Sequence, residues 1–202
     1  MPPEMVMQST GPNRPRTPAT LLAAMVCMAV PACAQSNTHG APGFMLSSAD
    51  LTAGDRVHLR QVYDRGGCRG RNVSPALSWG RPPAGTRSFA LLMFDSDAPG
   101  GGWWHWLVFD IPAQTRSLPA GAGDPAARLL APGSIQSRND YGSWGYGGPC
   151  PPPGPPHHYH LMLYALRVAS MGLSADASPA EVDSRVRAAA IAKAEITVVY
   201  GR

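Results

Sequence analysis

Asp95, Asp97 and His105 lie close together in Phe94-Asp-Ser-Asp-Ala-Pro-Gly-Gly-Gly-Trp-Trp-His105, between two apolar runs that read as strands joined by a Gly/Pro turn. A carboxylate pair and an imidazole beside aromatic surface suit a pocket for a small polar ligand. A second set, His157, His158, Tyr159 and His160, opens another apolar run. Alternation in an extended chain puts His157 and Tyr159 on one face, with Leu161 and Leu163, and His158 and His160 on the other. His157 and Tyr159 can therefore line one pocket wall.

Three kinds of chemistry compete for these residues. A binding pocket for a phosphorylated or zwitterionic small molecule is the first, and its alternative is a hydrogen-bond network that only braces the turn, since buried polar groups must find partners anyway. A hydrolase or lyase would use Asp95 or Asp97 as base and His105 as acid. Against it, no Gly-x-Ser-x-Gly motif occurs, and Ser96 lies between the acids on the opposite face. A metal hydrolase is disfavoured because the strand splits the histidines between faces. The expectation is a non-enzymatic protein without metal or cofactor.

The elements that position these residues read as strands. The interior strand from Ser88 has Phe89, Leu91, Met93, Asp95 and Asp97 on one face and Ala90, Leu92 and Phe94 on the other, apolar on both sides until the acids appear. The next strand, Trp103–Ile111, puts Trp103, His105, Leu107 and Phe109 on one side. Shorter strands are expected at 44–48, 57–63, 77–79 and 133–137, with an irregular connection over 113–132. Residues 139–156 form a long Gly/Pro/aromatic loop, a length that usually marks function. Ser178-Pro-Ala-Glu181 carries an N-cap serine, a proline at the first helical position and a capping-box glutamate. The helix is expected to run to about Ala194, followed by a strand over 195–200. One helix among many strands, in a chain with 22 glycines and 22 prolines, argues for a mostly β fold.

The chain has 202 residues, 44% of them apolar, enough for one domain with a normal core and an extension. The formal charge of +4 comes almost wholly from arginine, Lys193 being the only lysine. Arg65, Arg69 and Arg71 are separated by glycines without interleaved aromatics, which disfavours a nucleic-acid groove. Residues 1–34 have the layout of a signal peptide: Arg14 and Arg16, an apolar run from Ala19 to Val30, and small residues before a cleavage point after Ala34. The run is shorter than a membrane span. A lipoprotein box at Val30-Pro-Ala-Cys33 is the less favoured alternative, because Pro31 fits it poorly. Residues 35–43 read as a linker and 44–202 as the domain, with export to the periplasm as the expectation from its leader. Export leaves Cys68 and Cys150, an even pair that in an oxidising compartment is most simply a disulfide, with two buried thiols as the alternative.

Taken together, Asn72-Val-Ser-Pro-Ala-Leu-Ser-Trp79, Phe94-Asp-Ser-Asp-Ala-Pro99, Trp103-Trp-His-Trp-Leu-Val108, Gly145-Tyr-Gly-Gly-Pro-Cys-Pro-Pro-Pro153, Pro156-His-His-Tyr159 and Tyr200-Gly-Arg202 resemble the phosphatidylethanolamine-binding proteins, or Raf kinase inhibitor protein family, and within it the bacterial exported branch. The resemblance covers residues 44–202. It implies an antiparallel β-sandwich with a C-terminal helix near the pocket, and a pocket for phosphate-like anions or phosphoethanolamine head groups built from Asp95, Asp97, His105, His157 and Tyr159. Ser96 and His158 depart from the family's usual proline and arginine. In this setting His105, His157 and the backbone N–H groups of Gly145 to Gly148 are expected to donate to an anion, and Asp95 to pair with an amine. The family name also implies an inhibitor acting on a protein partner; for an exported chain this would be a protease, met through the 140–156 loop.

Overall fold

The computed structural model describes residues 43–202 and, ahead of them, Gly11. The stretch read as a signal peptide, apart from Gly11, and with it Cys33, lies outside the described residues, as does all of the expected linker but Gly43. The elements are β1 (Leu46–Ser48), β2 (Leu77–Trp79), β3 (Ser88–Asp95), β4 (Trp103–Pro112), β5 (Ser117–Leu118), β6 (Ile135–Gln136), β7 (His157–Leu166), α1 (Pro179–Ala189) and β8 (Ala190–Tyr200), with a short 3-10 turn at Pro125–Ala127. Strands β1-β2-β5 form one antiparallel sheet, and β6-β4-β3-β7-β8 form a second.

The five-stranded sheet is apolar on both faces because it is covered on both. On one side Phe89, Leu91, Met93, Leu161 and Leu163 pack against Leu46, Leu77, Trp79 and Leu118 of the smaller sheet. On the other, Ala90, Leu92, Met162 and Tyr164 meet Val182 and Val186 of α1. The two faces of β3 and β7 divide as alternation predicts. This is a mostly β, sandwich-like fold with one C-terminal helix.

Strand β4 does not alternate. Met93 pairs with Trp106 while Phe94 pairs with Trp104, so His105 is the extra residue of a β-bulge. The bulge turns His105 and Trp106 toward the same core, and Leu107 and Phe109 go to the helix side. The expected common face for Trp103, His105, Leu107 and Phe109 is thus overturned. A second shift between Phe89 and Leu91 puts Asp110 at φ 54°, where its carboxylate accepts from Met171 N (2.8 Å) and Ser170 Oγ (2.6 Å).

Other expectations also change. Residues 57–63 are not a strand: the chain folds back on itself, with Gly70 N donating to Tyr63 O and Asn72 N to Val62 O, and both Gln61 and Val62 are buried. The helix stops at Ala189, short of Ala194. Ala190–Ala194 favour helix locally, but their pairing with β7 and the burial of Ala192 and Ala194 in the inter-sheet core make them strand. Leu118, buried and paired with Leu77, forms β5 inside the stretch read as irregular. Strands β1 and β6 are shorter than expected. Ser178 caps α1 as its type predicts, its Oγ accepting from Glu181 N at 3.2 Å.

Candidate functional site

The end of β3 carries Asp95, opposite Trp103 of β4 on one side and Tyr159 of β7 on the other. Its carboxylate is almost fully buried. Oδ1 accepts from Asp97 N (2.9 Å) and Ala98 N (3.2 Å), and Oδ2 accepts from His157 Nδ1 (2.8 Å). Those first two bonds brace the turn after β3, so the structural role weighed for this acid is present. Gly102, at φ 109°, lets the returning strand pass against the Phe94 ring, a place with no room for a Cβ.

Asp95, His105 and His157 share a cavity of about 420 Å³ with Trp103 and Tyr141, and Cys150, Pro151 and Pro152 form part of its wall. Among the described residues no lysine or arginine lines it. His105 is buried, edge-on to Tyr141 and Tyr159 with ring centroids 5.5 and 5.2 Å away. Its Nδ1 lies 2.6 Å from Gly147 O; since a carbonyl only accepts, Nδ1 carries the proton. Nε2 is then a lone-pair acceptor, and it has no partner among the described residues. Burial holds the ring neutral by lowering its pKa to about 4, against the opposing pull of the Gly147 bond and Asp95.

This has a consequence for stability. The unfolded His105 takes up a proton near its ordinary value of 6.5, while the folded ring does so only near 4. The unfolded state therefore binds more protons between these values, and stability is complete above the upper one and lost as pH falls to the lower. The expected loss from this group is about 3 kcal/mol. Urea unfolding across this range should show a shallower pH dependence in His105→Gln than in the wild type; equal slopes would contradict a buried neutral His105.

Tyr159 lies behind the histidines rather than in the cavity wall. Its hydroxyl is buried without a hydrogen-bond partner among the described residues, and burial, then the Asp95 charge, raise its pKa. Asp97 takes a different direction from Asp95. Beyond the last β3 pair the chain turns outward, and the Asp97 carboxylate accepts from His158 N (2.6 Å) and meets His158 Nδ1 (2.8 Å) on the surface. These bonds, the backbone one first, lower its pKa. It does not line the cavity. The expected amide cradle is also absent: Gly145 N donates to Ser137 O, Tyr146 N to Gly123 O, Gly147 N to His105 O and Gly148 N to Asn72 Oδ1. Nor does α1 line the cavity; it covers the opposite face of the sheet.

Sequence reasoning overlooked Cys150 as part of the site: in Pro149-Cys150-Pro151-Pro152-Pro153 only Cys150 has a backbone N–H, because proline has none, and Cys150 lines the cavity. Its Sγ is bonded to Cys68, which ties this wall to the 66–71 loop. The run of prolines was the available signal.

Among the described residues no helix is long and apolar enough to cross a membrane. The family model for phosphatidylethanolamine-binding protein matches residues 47–201. The chain is 43% identical over 162 residues to the UPF0098 protein YbcL of Escherichia coli, covering 79% of this chain and 88% of that one. It is 42% identical over 103 residues to LppC of Mycobacterium tuberculosis, whose name designates a lipoprotein, covering 50% of this chain and 47% of that one. The crystal structure of Escherichia coli YbcL, described as a member of the mammalian PEBP family, superposes with a TM-score of 0.78 at 42% identity, covering 79% of this chain and 99% of that one. Its two packed sheets, its ordered motifs and these matches agree: the chain belongs to the phosphatidylethanolamine-binding protein family.

Proposed function

We propose that this protein is a non-enzymatic, exported binding protein whose cavity at Asp95, His105 and His157 takes a phosphate-like anion or a phosphoethanolamine-type head group. The observation that carries the reading is the buried His105 Nε2, which has no partner among the described residues, in a ring that lines the cavity with Asp95 and His157. Buried polar atoms without partners cost free energy, and a ligand supplies the missing bonds. Tyr159 orients His105 and His157 from behind, and Asp97 sets the turn through His158. Export is supported by the Cys68–Cys150 disulfide and by the similarity to LppC. Ser96 lies outside the cavity, on the outer face, with its Oγ 3.1 Å from His160 Nε2.

Calorimetric titration with phosphoethanolamine and with phosphate tests the reading. The wild type is expected to bind, and His105→Ala to lose roughly tenfold in affinity, the equivalent of one hydrogen bond. Release of inorganic phosphate from phosphoethanolamine would make the protein a hydrolase instead. A second reading, inhibition of a protein partner such as a protease through the 140–156 loop, is favoured by Trp144, which is 42% exposed with the Arg138 guanidinium 3.8 Å above its ring. A protease retained from periplasmic extract by the wild type and released by Trp144→Ser would support it.

A further inference from the structure

A row of side chains crosses the outer face of the five-stranded sheet. Trp104 of β4 pairs with Phe94 of β3, Phe94 with His160 of β7, and His160 with Thr197 of β8. Residues paired directly across strands share a face, and this is the face that α1 covers farther along, over Leu92, Met162 and Tyr164. The row itself is only partly covered. The His160 side chain is 28% exposed, and that of Glu195, which pairs with Met162, is 26% exposed. Ser96 follows the last residue of β3, is exposed, and is held beside β7 by its N–H, which donates to His158 O at 3.2 Å.

Register thus lines up a serine, a histidine and a carboxylate. Glu195 Oε1 lies 2.6 Å from His160 Nδ1, and Ser96 Oγ lies 3.1 Å from His160 Nε2. An ionised carboxylate only accepts, so Nδ1 carries the ring proton, and Nε2 presents its lone pair to the Ser96 hydroxyl. Lys193 Nζ donates to Glu195 Oε2 at 2.7 Å, and Thr197 Oγ1 donates to Oε1 at 3.2 Å. Against the upward pull of burial, the bonds from Lys193 and His160 lower the Glu195 pKa and keep it ionised. Phe94 and Trp104, with ring centroids 4.4 Å apart, form an apolar shelf beside this triad. None of these residues lines the cavity that holds Asp95 and His105.

We propose that Ser96 is an activated nucleophile that takes the acyl group of carboxylic esters with aryloxy leaving groups, with His160 as its general base and Glu195 as the positioning residue for the imidazole. Ser96 Oγ attacks the ester carbonyl carbon as its proton passes to His160 Nε2. The bond to the aryloxy group then breaks, and His160 returns the proton to the departing oxygen. Water attacks the acyl carbon next, giving its proton to the same nitrogen; the carboxylic acid leaves, and the proton goes back to Ser96 Oγ. The substrate class follows from the setting. The triad is open, so solvent rather than an enclosed set of donors meets the oxyanion of the intermediate, and one such donor contributes about 100- to 1,000-fold. Amides and alkyl esters therefore stay intact, while esters with good leaving groups react. The aromatic shelf favours an aryl group. The binding reading above is non-enzymatic at the cavity, on the other face of the sheet, and this proposal does not rest on it.

The test treats the full chain with 4-nitrophenyl acetate and, separately, with diisopropyl fluorophosphate, which reacts with activated serines by losing fluoride, and locates the adducts by peptide mass spectrometry. Ser96 should carry the phosphoryl adduct, formed at least about 100-fold faster than in the urea-unfolded chain, the contribution of a placed general base. Ser96→Ala should remove that adduct and the release of 4-nitrophenolate, and His160→Gln should slow both by roughly 100-fold. Glu195→Gln should slow both by about tenfold or more and shift the His160 ring to the Nε2–H tautomer, read from its nitrogen NMR shifts, because that tautomer cannot take the serine proton. His58→Gln, a change at another exposed histidine, should react like the wild type, which separates the triad from general acylation of histidines. Adducts only at residues other than Ser96, a Ser96 no more reactive in the folded chain than in urea, or a His160→Gln variant as fast as the wild type would each overturn the proposal.

Discussion

Asp95→Ala is expected to destabilise the protein by on the order of 3–5 kcal/mol and to abolish ligand binding. Three donors converge on this carboxylate, Asp97 N, Ala98 N and His157 Nδ1, and the residue is only 3% exposed. Removing it leaves two backbone amides and an imidazole without their acceptor in a place where water replaces it poorly. It also frees the turn from which β4 returns with Trp103 and His105. Asp95→Asn should lose less, because an amide oxygen can still accept from Asp97 N and Ala98 N. Urea unfolding of wild type, Asp95→Ala, His157→Ala and the double variant measures the effect and the coupling of the pair, expected at about 1–3 kcal/mol. Stability of Asp95→Ala within about 0.5 kcal/mol of wild type would show that the buried bonds make no net contribution.

Reducing the Cys68–Cys150 bond should have an effect of similar size. The cysteines are 82 residues apart in sequence. Closing a loop of that length restricts the unfolded chain enough to stabilise the fold by about 4.5 kcal/mol in the chain-entropy treatment. The bond also holds the cavity wall: Cys150 is flanked by prolines, and its Sγ is its covalent anchor to the 66–71 loop. Unfolding in urea with and without reductant, and of the Cys68→Ser/Cys150→Ser variant, should give the same drop in stability. Phosphoethanolamine affinity should fall in parallel, measured at a urea-free temperature where the reduced protein remains folded. A loss below about 1 kcal/mol would mean that the loop is already constrained in the unfolded ensemble.

Much of the site could be read from short-range rules. Alternation along β3 and β7 separated Asp95, His157 and Tyr159 from His158 and His160, and the structure keeps that division, since a strand in a two-sided core cannot slip by one residue without reversing every side chain. The Ser178 cap needed only its own turn of helix. The even cysteine pair needed only the assumption of export. These features depend on a residue and its immediate neighbours.

The remaining features depend on partners far away in sequence. His105 reaches the cavity through a bulge that exists only because β4 must match β3 at both Phe94 and Met93. Ala190–Ala194 form strand because β7 supplies their hydrogen bonds and the core accepts their small side chains, which outweighs a local preference for helix worth only tenths of a kcal/mol per residue. The amides of Gly145 to Gly148 looked free in the sequence, but Ser137, Gly123, His105 and Asn72 take all four. Asp97 looked equivalent to Asp95 by spacing until the turn gave it to His158. Composition and local pattern thus decided which charged and aromatic residues stand near the cavity. Register, bulges and long-range hydrogen bonds decided which of their atoms find partners among the described residues and which, such as the Nε2 of His105, do not.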